Sequence, residues 1–310
     1  MITNRTTNQP LETVIQIVKE LSHEIMPLIQ RRDGNAIQRM RSLFDTALTT
    51  FPVADDITCE TITINKVAAE WVIAPDSATT KILLYLHGGG YVFSSARNYR
   101  NLVSRLAQAS GVRALSVDYR LAPEHPFPAA VQDAILAYRW LVSTGIHPRH
   151  IVIAGDSAGG GLAIATLVAL RDAGDPLPAA AVCISPWIDL ECNGKSMATN
   201  AATDPMIQKE LVQFLAQHYV DESFIQCPLA SPIYADLDQL PPLMIQVADT
   251  ETLFDDARRL ARHAQQDGVD VLFEIWTDMI HVWHLFAPVL PEGQDAIEKV
   301  GAFIRKHIDL

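Results

Sequence analysis

Two short segments carry residue types suited to acyl-transfer chemistry. The first is Gly155-Asp156-Ser157-Ala158-Gly159, continued by Gly160 and Gly161. It follows the apolar run Ile151-Val152-Ile153-Ala154 and precedes a helix-forming run, Leu162 to Leu170. G-x-S-x-G between a strand and a helix is the pattern of a serine lifted above a sheet on a sharp turn. Such a turn forces strained angles on the serine and requires small neighbours. The helix that follows aims N–H groups at the site, which favours developing negative charge. A Gly-rich turn that merely packs a helix close to a sheet would use the same residues. The strand-then-helix context is what favours Ser157 as a nucleophile.

The second segment is His87-Gly88-Gly89-Gly90, directly after the apolar run Ile82–Leu86. Three glycines let a backbone approach a ligand and present N–H groups to it. Acyl transfer needs donors where the tetrahedral oxyanion forms. Gly88 and Gly89, with Ala158, are the expected donors. On its own a triple glycine is a weak signal; its pairing with the serine motif gives it weight. His87 is read as a brace for the loop, without a proton-transfer role.

In this strand–turn–helix context the triad runs Ser, then acid, then His. Downstream of Ser157 stand His218, His263, His281, His284 and His307. His218 falls in a helix of an insert, His263 on a charged helix face and His307 near the terminus, so surface roles suit them. His281 and His284 follow a strand in a loop position suited to catalysis. The acid should follow the strand at 243–247, within Ala248-Asp249-Thr250-Glu251-Thr252-Leu253-Phe254-Asp255-Asp256. Asp255 and Asp256 open a helix, where helix-dipole stabilisation explains them. Spacing does not choose between Asp249 and Glu251.

These residues must be positioned by regular elements, and the chain alternates accordingly. Apolar spacing predicts helices at 11–29 and 34–48, then strands at 60–66 and 69–73 at a sheet edge. Strands follow at 82–86, 112–117, 151–154, 180–184, 243–247 and 271–275. Helices at 98–109, 128–143, 158–171, 253–266 and 294–306 separate or follow them. This implies an α/β fold with a mostly parallel eight-stranded sheet and helices on both faces. Residues 190–235 break the rhythm with a long insert holding a helix at 206–218. The expected organisation is N-terminal cap helices in 1–50 and a catalytic domain in 51–310. The insert completes the cap over the carboxyl ends of the strands.

The chain has 310 residues, 49% of them hydrophobic, enough for a large core. Its formal net charge of −12 disfavours nucleic-acid binding. Four cysteines without CxxC spacing are too few for a disulfide framework in this length. No secretory leader pattern and no membrane-length apolar run is read, so a cytoplasmic protein is expected.

Together the motifs resemble the bacterial hormone-sensitive lipase family of esterases, with the α/β-hydrolase fold. The resemblance runs from about 81 to 286 through HGGGY (87–91), DYRLAPEHPFPAA (118–130), GDSAGG (155–160), SPW-x-DL (185–190), D/E-x-L-x-D-D (251–256) and M-x-H (279–281). It implies His281 as the base, with His284 the alternative. Family members commonly read A-E-x-D-P-L-x-D-D/E, which aligns Glu251 with the triad acid and leaves Asp249 as the alternative. It also points to Tyr91, Trp187 and Val282 as substrate-binding positions. Ser94, where many members have glycine, and Val282-Trp283, in place of Gly-Phe, depart from the family and are expected to line or border the pocket. The Asp118–Ala130 motif, with Glu124, is read as a brace. The implied activity is hydrolysis of short- to medium-chain carboxylic esters through an acyl-enzyme on Ser157, without metal or cofactor. Lactone or carbamate hydrolysis on the same triad is the near alternative, and a non-hydrolytic ligand receptor the distant one. Family likeness suggests a homodimer through about 271–306.

Overall fold

The computed structural model describes residues 9–30 and 34–308. Eight strands form one sheet: β1 (Thr58–Ile64), β2 (Val67–Ile73), β3 (Ala78–Leu86), β4 (Val112–Asp118), β5 (Ile151–Asp156), β6 (Ala180–Ile184), β7 (Leu243–Ala248) and β8 (Val271–Trp276). Their order is β1-β2-β4-β3-β5-β6-β7-β8. β2 runs antiparallel to both β1 and β4, and all other pairings are parallel. The first expected strand, 60–66, ends earlier, at Ile64. Asn65 and Lys66 have φ of 47° and 81°, so they form the two-residue turn of a hairpin instead.

The helices are α1 (Gln9–Gln30), α2 (Ala36–Leu48), α3 (Arg100–Ser110), α4 (Ala129–Ser143), α5 (Ala158–Asp172), α6 (Ser196–Thr199), α7 (Lys209–Tyr219), α8 (Phe254–Gln266) and α9 (Pro291–His307). Strand side chains alternate between two cores. Ile82, Leu84 and Leu86 of β3 join the cluster that holds α4, α5 and α8, while Leu83 and Tyr85 join the one that holds α3 and α9. Both faces are therefore covered, which is why β5 and β6 are buried along their whole length.

The insert helix was expected at 206–218 but begins at Lys209. Asp204 Oδ1 accepts the N–H groups of Met206 and Ile207, both at 2.9 Å, and Gln208 is extended. That turn uses up the residues before the helix. α1 packs on α2 and α7. Residues 1–8 and 31–33 of the expected N-terminal cap lie outside the described residues. No helix among the described residues is long and apolar enough to cross a membrane.

The topology fixes where a site can form. From β3 the chain goes to β4 on one side and then returns to β5 on the other. Such a reversal opens a crevice at the carboxyl ends of the strands. The loop after β3, the turn after β5 and the loops after β7 and β8 all leave from that end.

Candidate active site

Ser157 sits on the turn between β5 and α5 with φ 52° and ψ −121°, a strained conformation for a residue with a side chain. Its N–H donates to Ile184 O at 2.8 Å, and its carbonyl accepts the N–H of Trp187 at 2.9 Å. The segment after β6 therefore holds the strained residue from the side. Gly159 permits the turn: a Cβ there would overlap the carbonyls of Leu86 and His87. The small neighbours follow from this close approach of α5 to the end of β3.

The loop after β3 corrects one expectation. The N–H of Gly88 donates to Asp156 Oδ1 at 2.9 Å, so it is already engaged. Gly89 and Gly90, both with positive φ, line the cavity that contains Ser157, and Gly88 does not. Among the described residues the N–H groups of Gly89, Gly90 and Ala158 donate no hydrogen bond. The free donors of the loop are thus Gly89 and Gly90, in place of Gly88 and Gly89. His87 stacks on Tyr119 with ring centroids 4.3 Å apart, and its Nδ1 donates to Gly88 O at 2.7 Å. Burial holds its pKa below the usual value.

The loops after β7 and β8 bring Glu251 and His281 together. Glu251 Oε2 lies 2.7 Å from His281 Nδ1. Its Oε1 accepts Ala248 N–H at 2.7 Å and the Ser185 hydroxyl at 2.8 Å. Glu251 is fully buried and His281 nearly so. Burial pulls the His281 pKa down, but the hydrogen bond and charge of Glu251 outweigh it, so the net shift is upward. The alternatives lie elsewhere. Asp249 is exposed and accepts Asp278 N–H at 2.9 Å. Asp255 holds the insert by accepting Ser196 N–H, and Asp256 holds the segment before it by accepting the N–H groups of Ile188 and Asp189. His284 Nε2 bonds Gln246 Oε1 at 2.7 Å, and burial depresses its pKa to about 3. His218 and His307 bond carbonyls of their own helices, and His263 pairs with Asp267.

Ser157 and His281 line one cavity of about 580 Å³. Its walls come from α1 (Val14, Ile17, Leu21), α2 (Phe44, Leu48) and α7 (Leu211, Leu215), with Trp187 next to the serine and Val282 next to His281 in sequence. Tyr91 corrects another expectation. It is buried, stacks on Tyr219 at 3.8 Å and does not line the cavity. Its positive φ of 63° turns the ring away into the core. Among the described residues no three His, Cys, Asp or Glu side chains gather in a way that could hold a metal ion.

Residues 83–285 match the family described as alpha/beta hydrolase fold. An acetyl-hydrolase of Streptomyces hygroscopicus is 46% identical over 92% of this chain and 95% of that protein. A crystal structure of an esterase from the bacterial hormone-sensitive lipase family is 49% identical, with a TM-score of 0.93 over 98% of this chain and 99% of that one. The esterase EstE5, soaked with p-nitrophenyl butyrate, is 44% identical with a TM-score of 0.91, over 98% of this chain and 100% of that one. The chain belongs to the bacterial hormone-sensitive lipase family. That is a family of carboxylic ester hydrolases on the α/β-hydrolase fold.

The two departures from the hormone-sensitive lipase pattern now have a backbone explanation. Ser94 has φ 82° and Val282 has φ 48°, the left-handed region that favours glycine. Val282 lines the cavity as expected, but Ser94 does not; its buried Oγ has no hydrogen-bond partner among the described residues. The brace expected of Glu124 takes a specific form: it pairs bidentately with Arg41 of α2, which also donates to Val92 O and Ala122 O. α2 is thereby tied to the loop after β3.

Two functional contacts had no assigned role in the sequence. Ser185 both donates to Glu251 and accepts Val282 N–H at 3.3 Å, linking the carboxylate to the residue after His281. Its signal was its place in the SPW motif. Asp156 was visible only as the neighbour of the serine, yet its carboxylate gathers Gly88, Tyr85 and Tyr99.

Proposed function

We propose that the chain is a serine carboxylesterase for uncharged short- to medium-chain esters. The observation that carries this is the placement of Ser157 and His281 in one cavity, with His281 Nδ1 held by Glu251 at 2.7 Å. With Nδ1 engaged, Nε2 is the ring atom left to take the proton of Ser157. Ser157 Oγ then attacks the ester carbonyl, and the oxyanion accepts N–H groups of Gly89, Gly90 and Ala158. The C–O bond to the alcohol breaks as His281 returns the proton to the leaving oxygen. Water, deprotonated by the same imidazole, releases the acid from Ser157.

The lining supports the substrate class. Among the described residues it is mostly aliphatic and aromatic and includes no Lys or Arg, so none of these would pair with an anionic acid or alcohol. A volume of about 580 Å³ suits a small ester, and α1, α2 and the 190–235 insert act as the cap that bounds it. Two relatives, one named for acetyl hydrolysis and one soaked with a butyrate ester, point to the same range.

The test is turnover of p-nitrophenyl esters of graded acyl length by wild type and Ser157→Ala. We expect hydrolysis that peaks at short or medium chains and disappears in the variant. Undiminished turnover by Ser157→Ala would remove the serine mechanism. A peak at long chains would remove the assignment of chain length.

A further inference from the structure

Asp156, directly before the nucleophile, is a fully buried carboxylate that the acyl-transfer steps do not use. Its Oδ1 accepts the Tyr85 hydroxyl at 2.7 Å and Gly88 N–H at 2.9 Å, and its Oδ2 accepts the Tyr99 hydroxyl at 2.8 Å. Three donors from β3, the loop after it and the residue before α3 therefore converge on one side chain at the end of β5. A group so engaged is poorly placed to act as a base. It is well placed to set a backbone.

The two peptides that flank Gly88 are both held, the first by Asp156 and the second by His87. Gly88 N–H goes to Asp156, and Gly88 O goes to His87 Nδ1 at 2.7 Å. In a trans peptide the carbonyl and the following N–H point opposite ways. With Gly88 O turned to the His87 ring, Gly89 N–H must point away from it. Glycine at 88 reflects the same pairing: it has no positive φ, but a Cβ there would overlap Asp156 Oδ2 and crowd the Tyr99 hydroxyl. Gly88 and Asp156 are thus a matched pair.

We propose that Asp156 is the positioning residue of the oxyanion loop: by fixing Gly88 it turns the N–H groups of Gly89 and Gly90 toward the oxyanion formed at Ser157. This deepens, and rests on, the serine-esterase reading. It predicts that the acceptor oxygens of Asp156 matter more than its charge. Asparagine keeps an oxygen for Gly88 and Tyr85, and the Tyr99 hydroxyl can accept from the amide.

The experiment is steady-state hydrolysis of p-nitrophenyl butyrate by wild type, Ser157→Ala, Asp156→Ala, Asp156→Asn and Gly88→Ala, with circular dichroism of each. For Asp156→Ala we expect kcat to fall about 100-fold, the scale of one lost oxyanion donor, with KM moved less than about threefold. Asp156→Asn should stay within about fivefold of wild type on the same reasoning. Gly88→Ala should lose kcat like Asp156→Ala, and it carries the test if Asp156→Ala does not fold. Wild-type kcat in either Asp156→Ala or Gly88→Ala would overturn the proposal. So would Asp156→Asn as slow as Asp156→Ala, since that assigns the effect to charge. A loss confined to KM would also overturn it. If Ser157→Ala is silent while Asp156→Ala is undiminished, this inference alone falls. If Ser157→Ala turns over like wild type, the esterase mechanism falls and takes the inference with it.

Discussion

Replacing Glu251 with glutamine changes one atom and should nearly silence the enzyme. The reason lies in which donors surround the carboxylate. Ala248 N–H and the Ser185 hydroxyl both donate to Oε1, at 2.7 and 2.8 Å. A backbone N–H cannot reverse its role, so the amide oxygen of Gln must take the Oε1 place. The opposite orientation would bury two donors face to face and cost about 1–3 kcal/mol for the unmade bond. The amide NH2 then faces His281 Nδ1, which must become the acceptor. The imidazole proton moves to Nε2, the atom that should receive the proton of Ser157. In a serine protease this wrong-tautomer change costs about 10⁴ in kcat, or about 5.5 kcal/mol of barrier. We therefore expect Glu251→Gln to lower kcat on p-nitrophenyl butyrate by about 10³–10⁴ with little change in KM. Asp249→Asn, at an exposed site whose carboxylate accepts only the Asp278 N–H among the described residues, should stay within about threefold, as surface changes do. Glu251→Gln with more than a tenth of wild-type kcat would refute the tautomer argument. A large loss in Asp249→Asn alone would move the acid to Asp249.

Two further outcomes follow from the same geometry. Ser94→Gly should stabilise the fold: it relieves a φ of 82° and removes a buried hydroxyl with no partner among the described residues. Set against the added freedom of glycine in the unfolded chain, the net gain is about 1–2 kcal/mol. Over 310 residues that raises Tm by about 1.5–3 °C, read by calorimetry, and a lowered Tm would contradict it. The second outcome concerns pH. His281 titrates above 6.5, because Glu251 outweighs its burial. Only the neutral ring can accept the serine proton, so kcat/KM should fall as pH drops through a value above 6.5. An acid limb at or below 6.5 would show that Glu251 does not hold the imidazolium.

Much of this architecture was legible from pattern alone. Buried strands such as Ile151–Ala154 are short apolar runs bounded by turn residues, and the helices between them have apolar stripes. The alternation then dictates a parallel sheet with a crevice at its carboxyl ends. The nucleophile was legible because a strand, a glycine turn and a helix are local in sequence. The pairing of Glu251 with His281 was not local. They stand thirty positions apart, with α8 and β8 between them, and only family likeness separated Glu251 from Asp249. In the fold the distinction is physical: Glu251 turns inward to three donors, and Asp249 turns outward to the Asp278 backbone.

What pattern could not supply was the direction of individual peptide groups. Three consecutive glycines offer three N–H groups, and nothing in HGGG says which is already engaged. That answer depends on Asp156, 68 residues away in sequence. Tyr91 illustrates the same limit. The resemblance made it a substrate-binding position, yet a left-handed backbone turns it onto Tyr219. Ser94 and Val282 complete the argument from the other side. Both depart from the family pattern by the resemblance, and both adopt the positive φ that glycine would accept without strain. At Val282 the added side chain falls beside His281 on the cavity wall. A strained valine there puts two methyl groups on the wall that also carries His281, where glycine would leave space.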